Sequence, residues 1–245
     1  DYLLTSVSIP NSIQSIGNGA FKLCYGLTSI TIPDSVFRIG NNAFEYCQGL
    51  KSVTIGNSVR GIDNSTFYGC SALTAIDIPN SVTSIGTGAF GGCSGLTSVT
   101  IPEGVRSIGT DAFNSCSGLK SVTIPSSILY IQERAFFGCT RLTSVVCNIV
   151  DPLTINADTF QYSNQSICSL TVPTSSVAAY KAKAVWQNFN AILCDNQTIN
   201  TTTASACASY TWAVNNQTYP LHLKDTFYKR KLDVKVPFEL FWVFL

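Results

Sequence analysis

"LTSITIPDSVFRIGNNAFEYC", Leu27 to Cys47, returns with few changes as "LTAIDIPNSVTSIGTGAFGGC", Leu73 to Cys93. The two copies lie two steps of 23 residues apart, and the step holds throughout the first two thirds of the chain. Phenylalanines fall at Phe21, Phe44, Phe67, Phe90, Phe113 and Phe136, and cysteines at Cys24, Cys47, Cys70, Cys93, Cys116 and Cys139. Leucines keep the same interval from Leu4 to Leu142. The unit reads L-x-x-[IV]-x-[IV]-P-x-x-[IV]-x-x-I-G-x-x-A-F-x-x-C-x-x. A repeat of this length is one supersecondary element that cannot bury its own apolar edge and must stack on its neighbours.

Within one unit, "LTSVTIP" from Leu96 to Pro102 alternates with period two, as a half-buried strand does. Val99 and Ile101 face one side, Ser98 and Thr100 the other. Pro102 lacks the N–H that a ladder needs and ends the strand. Val105 and Ile108 form a second apolar pair, Gly109 permits a tight turn, and Ala112, Phe113 and Cys116 fold back on the core. Stacked strands would lie about 4.8 Å apart in a parallel sheet, with the phenylalanines forming a buried column. The six column cysteines would run side by side with parallel Cβ vectors, which does not suit a disulfide. They read as free, buried, small hydrophobes, and Cys147, in a strand core column, reads the same way.

The L-x-x-L-x-L core is the leucine-rich repeat signature. The variant "IP-x-SV-x-x-IG-x-x-AF-x-x-C" resembles the BspA-like, or Treponema-type, leucine-rich repeat family over about residues 1–173. The resemblance implies a mainly β fold: a solenoid of 23-residue repeats with a parallel β-sheet on the concave face. It also implies surface proteins of anaerobic bacteria and some parasitic protists, associated with adhesion to host proteins and other cells.

The repeat breaks after Cys139. Phe160 follows Phe136 by 24 residues, and "ICSLTVP", Ile167 to Pro173, is the last strand. Residues 174–193 then change period: Val177, Tyr180 and Ala184 fit one helical face, with Ser175 as N-cap. This short helix, with Trp186 and Phe189, is predicted to cap the array, and it resembles the usual ending of bacterial BspA-like arrays. Residues 194–220 turn rich in Asn and Thr, and "C-x-S-Y-T-W" resembles the start of a small β-rich module. Cys194 and Cys207 are the pair expected to bridge. Residues 221–245 hold eight charges and end "FELFWVFL", which predicts an atypical, poorly ordered tail. Because Asp1 lies inside a repeat and the chain has no methionine, the sequence reads as part of a longer or processed protein. No run of about 18 apolar residues suggests a membrane-spanning helix.

The chemistry-bearing residues are sparse. Only 12% of residues are charged and the net charge is +1, against about 25% charged in ordinary domains, so no field favours nucleic acid. The one histidine, His222, lies in the atypical tail, which removes Ser-His-Asp and Cys-His schemes from the solenoid. Asp34, Asp63, Asp77 and Glu103 read as lying in different repeats and different columns, so no carboxylate pair is forced. "GTGAFG", Gly86 to Gly91, matches the dinucleotide fingerprint in letters only, since it is one repeat's turn rather than a strand-to-helix junction. With no C-x-x-C, no zinc or redox motif is indicated. The sequence therefore predicts no enzyme, no cofactor and no metal. Sequons at Asn64, Asn164, Asn196, Asn200 and Asn216 reflect an Asn/Thr-rich composition in a bacterial reading and glycan acceptors in a eukaryotic one.

What remains is surface. The outward strand positions carry Ser6 and Ser8, Ser29 and Thr31, Ser52 and Thr54, Ala75 and Asp77, Ser98 and Thr100, Ser121 and Thr123, and Ser144. This uncharged hydroxyl ladder along about 30 Å of sheet is the candidate binding face for a host or neighbouring-cell protein, or a glycan. Hydroxyls also simply suit an exposed β surface. Tyr25, Phe37, Tyr46, Tyr68, Tyr130 and Phe137 lie outside the core columns, where they would anchor a partner or cover the rim. The expected role is a non-enzymatic, secreted or cell-surface binding or adhesion protein. The alternative is a structural spacer carrying another domain of a larger surface protein.

Overall fold

The computed structural model describes residues 3–195 and two short antiparallel strands, Ser209–Thr211 and Thr218–Pro220. Residues 1–198 form one compact unit and 199–245 a second. Cys207, His222 and the tail at 221–245 lie outside the described residues.

The first unit is a solenoid whose coils have three hydrogen-bonded sides. On the first side run the predicted strands, all parallel and in register. Ser29–Ile32 pairs with Ser52–Ile55, and a five-stranded sheet joins Ser98–Thr100, Ser121–Ile124, Ser144–Cys147, Ser169–Val172 and Ala191–Cys194 in chain order. Side-chain burial alternates as period two demands: in Ser52–Ile55, Val53 and Ile55 are buried while Ser52 and Thr54 face out. Two predicted strands are missing. Residues 6–9, with Ser6 and Ser8, form no ladder, and neither do residues 75–78, so the sheet divides there. Ala and Asp are weak strand formers, and this coil puts Ala75 and Asp77 where its neighbours on either side have Ser and Thr; residues 6–9 carry serines and still form no ladder. Ile76 and Ile78 stay buried all the same.

The second side is a sheet that the sequence pattern did not reveal. Six two-residue strands, Ser15–Ile16, Arg38–Ile39, Gly61–Ile62, Ser84–Ile85, Ser107–Ile108 and Tyr130–Ile131, pair in parallel, each burying its isoleucine. Two-residue strands are too short for alternation to show, so the periodicity there reads only as an apolar pair.

On the third side, backbone donors alternate between their own coil and the next. Ala43, Glu45 and Cys47 donate to Gly40, Asn42 and Phe44 at 3.1–3.3 Å, while Asn42, Phe44 and Tyr46 donate to Asn64, Thr66 and Tyr68 at 2.6–2.9 Å. The alternation places left-handed residues at two columns per coil. Asn42, Ser65, Asp111 and Arg134 occupy one, and Leu23, Tyr46, Ser115 and Tyr162 the other, with φ of 53–63°. Such a conformation costs a non-glycine residue on the order of 1–3 kcal/mol, which the cross-coil bonds offset. Gly109 is not among these residues, which corrects the reading of it as a turn residue. Its glycine is required because a Cβ would sit 2.6 Å from the backbone of Gly86 in the preceding coil.

The core is a column of stacked rings. Successive phenylalanines from Phe21 to Phe160 have centroids 5.1–5.6 Å apart and planes within 10°. Phe44 through Phe160 are fully buried, although Phe160 comes one residue late in sequence. Beside them the column cysteines are free and buried, as is Cys147. Each thiol from Cys47 to Cys139 donates to the phenylalanine carbonyl of the coil before it, at 3.0–3.3 Å. Burial pushes the Cys47 and Cys116 thiols from an ordinary 9.0 up to about 12, and raises Cys70, Cys93 and Cys139 also. The serine of "P-x-S-V" plays a parallel role: Ser35, Ser81 and Ser127 donate to the carbonyls of Ile13, Val59 and Val105 in the preceding coil.

At the far end Trp186 and Phe189 lie on Phe160, at 5.7 and 5.2 Å. The indole N–H donates to Leu153 O, and the buried Tyr180 hydroxyl donates to Ile149 O, both at 2.9 Å. The α-helix is short, Val177–Ala182, preceded by a 3-10 turn at Thr174–Ser176. Its N-cap is Ser176 rather than Ser175, with no side-chain bond, and Ala184 is exposed beyond its end. An extended Lys183 and a left-handed Val185 stop the helix and swing Trp186 back over the phenylalanine column.

Two outcomes follow from this packing. Phe90→Ala removes a fully buried ring between two stacked neighbours and should cost roughly 3–5 kcal/mol in denaturant unfolding, whereas Ser98→Ala should stay within about 0.5 kcal/mol. The native thiols should resist labelling reagents at pH 8 and react on denaturation. Because their folded-state pKa values lie above the unfolded value, the stability they contribute is complete below pH 9. It is lost as pH rises from about 9 toward 12, where only the unfolded chain ionises readily. Tm should therefore fall across that window, and less steeply in Cys93→Ala.

Candidate functional site

Two faces of the solenoid present side chains outward in ordered columns. The first is the strand face. Ser29, Thr31, Ser52, Thr54, Asp77, Ser98 and Thr100 are exposed, and Ser121 and Thr123 are half-buried. Register pairs Ser29 with Ser52 and Thr31 with Thr54 on one stretch, then Ser98 with Ser121 and Ser144, and Thr100 with Thr123, on the other. The sheet spacing brings neighbours in each column to about 4.8 Å. The ladder is thus two stretches rather than one, with Asp77 in the break. It also runs further than the sequence suggested: Ser169 and Thr171 continue both columns in register with Ser144 and Val146. Their "SLTV" matches "SVTI", but the 25-residue interval hid the alignment.

The second face follows the short strands. Phe37, Arg60, Thr83, Arg106 and Leu129 form its outer column, with Tyr130 beside Leu129, and all of these are exposed. Successive members are joined by backbone bonds: Arg60 N–H to Phe37 O at 3.3 Å, Thr83 to Arg60 at 2.8 Å, Arg106 to Thr83 at 2.9 Å and Leu129 to Arg106 at 2.8 Å. An open groove of about 740 Å³ crosses this face, lined by Phe37, Arg60, Thr83 and the serines of three coils. The sequence reading missed it. The signal was there as arginine on alternate repeats at one phase, Arg60 and Arg106.

The remaining aromatics sort by environment. Tyr46 and Tyr68 meet edge to face at 5.5 Å, and burial together with Tyr46 pushes the Tyr68 phenol up. Phe137 packs against Tyr162 at 5.0 Å under the Arg134 guanidinium at 4.7 Å. Phe37 and Tyr130 are the more exposed, at 48% and 66%.

Of the four carboxylates singled out in the sequence, all but the exposed Asp77 are engaged in structure. Asp34 accepts the Asn57 N–H at 2.6 Å, Glu103 accepts the Ser126 hydroxyl at 3.0 Å, and Asp63 lies 3.7 Å from Arg38. Asp34 and Glu103 do share a column, contrary to the sequence reading, but they stand three coils apart. "GTGAFG" is coil packing: a Cβ on Gly86 would meet the Asn64 backbone at 2.8 Å, and one on Gly91 the Tyr68 ring at 2.8 Å. Among the described residues no group of three His, Cys, Asp or Glu could hold a metal, and no helix is long and apolar enough to cross a membrane. Asn64 is exposed and its Oδ1 accepts the Thr87 N–H, but Thr66 of its sequon is fully buried. Asn196, Asn200 and Asn216 lie outside the described residues. Cys194 is disulfide-bonded; its expected partner Cys207 lies outside them too.

Comparison with known proteins agrees with this geometry. No curated protein matches the chain. Among solved structures it is similar to a leucine-rich repeat protein of T. pallidum, with 32% identity, 54% of this chain and 62% of that one covered, and a TM-score of 0.53. It is also similar to a leucine rich cell surface protein of Faecalibacterium prausnitzii, with 25% identity, coverages of 74% and 60%, and a TM-score of 0.46. A leucine-rich repeat protein of Bacteroides ovatus gives 24% identity, coverages of 75% and 64%, and a TM-score of 0.42. The chain spans somewhat under two thirds of the length of each. The family profile for the BspA type leucine rich repeat region matches in six copies, over residues 1–117 and 62–190. With most of the solenoid covered by that profile and every core column in place, the chain belongs to the BspA-type leucine-rich repeat family.

Proposed function

We propose that this protein is a non-enzymatic binding or adhesion module, displayed at the cell surface or secreted, and that the strand face is where a host or neighbouring-cell protein docks. The observation that carries the reading is the hydroxyl ladder. Ser29, Thr31, Ser52, Thr54, Ser98 and Thr100 are all exposed, and none of their hydroxyls makes a hydrogen bond within the described residues. The core side of each strand, by contrast, is fully used. Leucine-rich repeat folds generally serve as scaffolds rather than catalysts, and repeat solenoids use such extended faces for partners.

The chemistry of the face sets the mode of binding. Hydroxyls supply one donor and two acceptor positions each, without the desolvation cost of a charge. They give shallow, adaptable contacts and little long-range steering. Affinity per module should be weak, and useful attachment should come from many copies acting together. Asp77, in the break between the two sheet stretches, is the one charge in the ladder and would favour a partner with a basic group opposite it.

The direct test is surface plasmon resonance or bead capture against a panel of extracellular matrix proteins, with the chain presented singly and in multivalent form. We expect saturable binding that strengthens at least tenfold on multivalent display and is lost in the Thr54→Arg, Thr100→Arg double variant. A folded protein that shows no saturable binding would support the structural-spacer role instead.

A further inference from the structure

We propose that the groove on the short-strand face is a separate site for an extended acidic polysaccharide that carries one anionic group on every second sugar. Arg60 lines the groove, and Arg106, two coils on in the same column with Thr83 between them, lies beyond the lining residues on the same face, joined rung by rung through the backbone. Two steps of about 4.8 Å put the arginines on the order of 10 Å apart. An extended pyranose chain advances by roughly the same step per sugar, so alternating charge on the glycan falls in register with alternating arginine on the protein. A protein strand advances about 3.3 Å per residue, so the residues about 10 Å apart are i and i+3, which point to opposite faces and cannot both meet the arginines.

Three further features suit a sugar. Among the described residues the ion pairs are Lys22–Glu45, Arg38–Asp63 and Arg134–Asp111, and neither Arg60 nor Arg106 is in one. Both are exposed, so both guanidinium groups are available to bind a carboxylate or sulfate, bidentately in the favourable case. The groove's hydroxyls are oriented already: Ser35 and Ser81 donate to Ile13 O and Val59 O, and Thr83 donates to Arg60 O. Their protons point inward and their lone pairs remain as acceptors for sugar hydroxyls. Phe37, 48% exposed at the groove's edge, offers an aromatic surface for the apolar side of a pyranose ring. The nearby carboxylates of Asp34 and Asp63 are engaged by the Asn57 N–H and by Arg38, which limits their repulsion of an anion.

Calorimetric titration of the full chain with a hyaluronan dodecasaccharide, whose only charges are carboxylates on alternate sugars, tests this. Keratan sulfate oligosaccharide, charged through sulfate alone, identifies which anion is preferred. Chitohexaose is the neutral control and a poly-glutamate peptide the protein control. We expect hyaluronan or keratan sulfate to bind and chitohexaose to bind at least tenfold more weakly. Arg60→Ala and Arg106→Ala should each weaken binding roughly tenfold, as loss of one charge-assisted contact does, and Phe37→Ala should weaken it also. Arg38→Ala and Thr54→Arg should leave it within about twofold, the second separating this site from the strand face. All these side chains are exposed, so each variant should keep the parent's Tm. The proposal is overturned if neither anionic glycan binds, if both arginine variants bind as the parent does, or if poly-glutamate binds equally well.

Discussion

The coil pitch governs this molecule. Phenyl rings stacked at 5.1–5.6 Å and backbones hydrogen-bonded on three sides leave one permissible distance between coils. A residue that cannot live at that distance cannot occupy the position. Glycine appears where a Cβ would strike the neighbouring backbone: 2.3 Å from Ser94 O at Gly118, 2.3 Å from Tyr25 O at Gly49. Cysteine appears where a small apolar group must also reach a carbonyl one coil back. A thiol does both, being compact and a weak donor, and burial then suppresses its chemistry. The same pitch dictates how the ends behave, since a stacked ring with no neighbour would expose its face. Trp186 and Phe189 meet that need at Phe160 with a different geometry, tilted and edge-on, because nothing further has to stack on them.

How much of this could be read in the residues depends on whether a feature repeats with a chemical signature. The phenylalanine and cysteine columns, the first strand and its alternation, and the burial of Cys147 all carry apolar residues at fixed phase, and each was visible. The two left-handed columns were not. Asn42, Ser65, Gly88, Asp111 and Arg134 have nothing chemical in common, and what they share is a backbone state imposed by alternating donors. The second sheet escaped for a related reason, as two residues are too few for a period to appear. The break at Ala75–Ile78 shows the converse limit. A pattern that fits the repeat predicts a strand, but the pattern alone does not close the ladder: residues 75–78, where Ala and Asp replace Ser and Thr, form none, and neither do residues 6–9. At the cap, the helical face was visible in Val177 and Tyr180, yet the helix ends before Ala184 because Trp186 must turn back over the ring column.

The surface divides along similar lines. On the strand face, Ser and Thr suit the sheet whether or not they bind anything, so the sequence alone could not separate scaffold from site. The structure narrows this by showing which hydroxyls are used. Ser35, Ser81 and Ser127 are committed to the coil before them, and Thr83, Thr97 and Thr143 to backbone carbonyls. Those of Ser52, Thr54, Ser98 and Thr100 are not. A hydroxyl that takes part in the pitch has little freedom to change, while one outside it is open to selection for contact.

That distinction carries over to the short-strand face and makes its arginines informative. The position held by Phe37, Arg60, Thr83, Arg106 and Leu129 has the same backbone bonding from coil to coil, and apart from the Thr83 hydroxyl, which donates to Arg60 O, its side chains take no part in the stack, so the fold accepts an aromatic, a cation or an aliphatic there without distinction. A solenoid built by repeating one sequence would be expected to repeat that residue too. Variation in this column, with arginines at Arg60 and Arg106 and an aromatic lining the groove at Phe37, is therefore not required by folding. An exposed, unpaired arginine contributes little to stability, which removes the usual structural reason for placing one. The ordered alternation of Arg60 and Arg106 is better matched to something outside the protein that alternates with the same step.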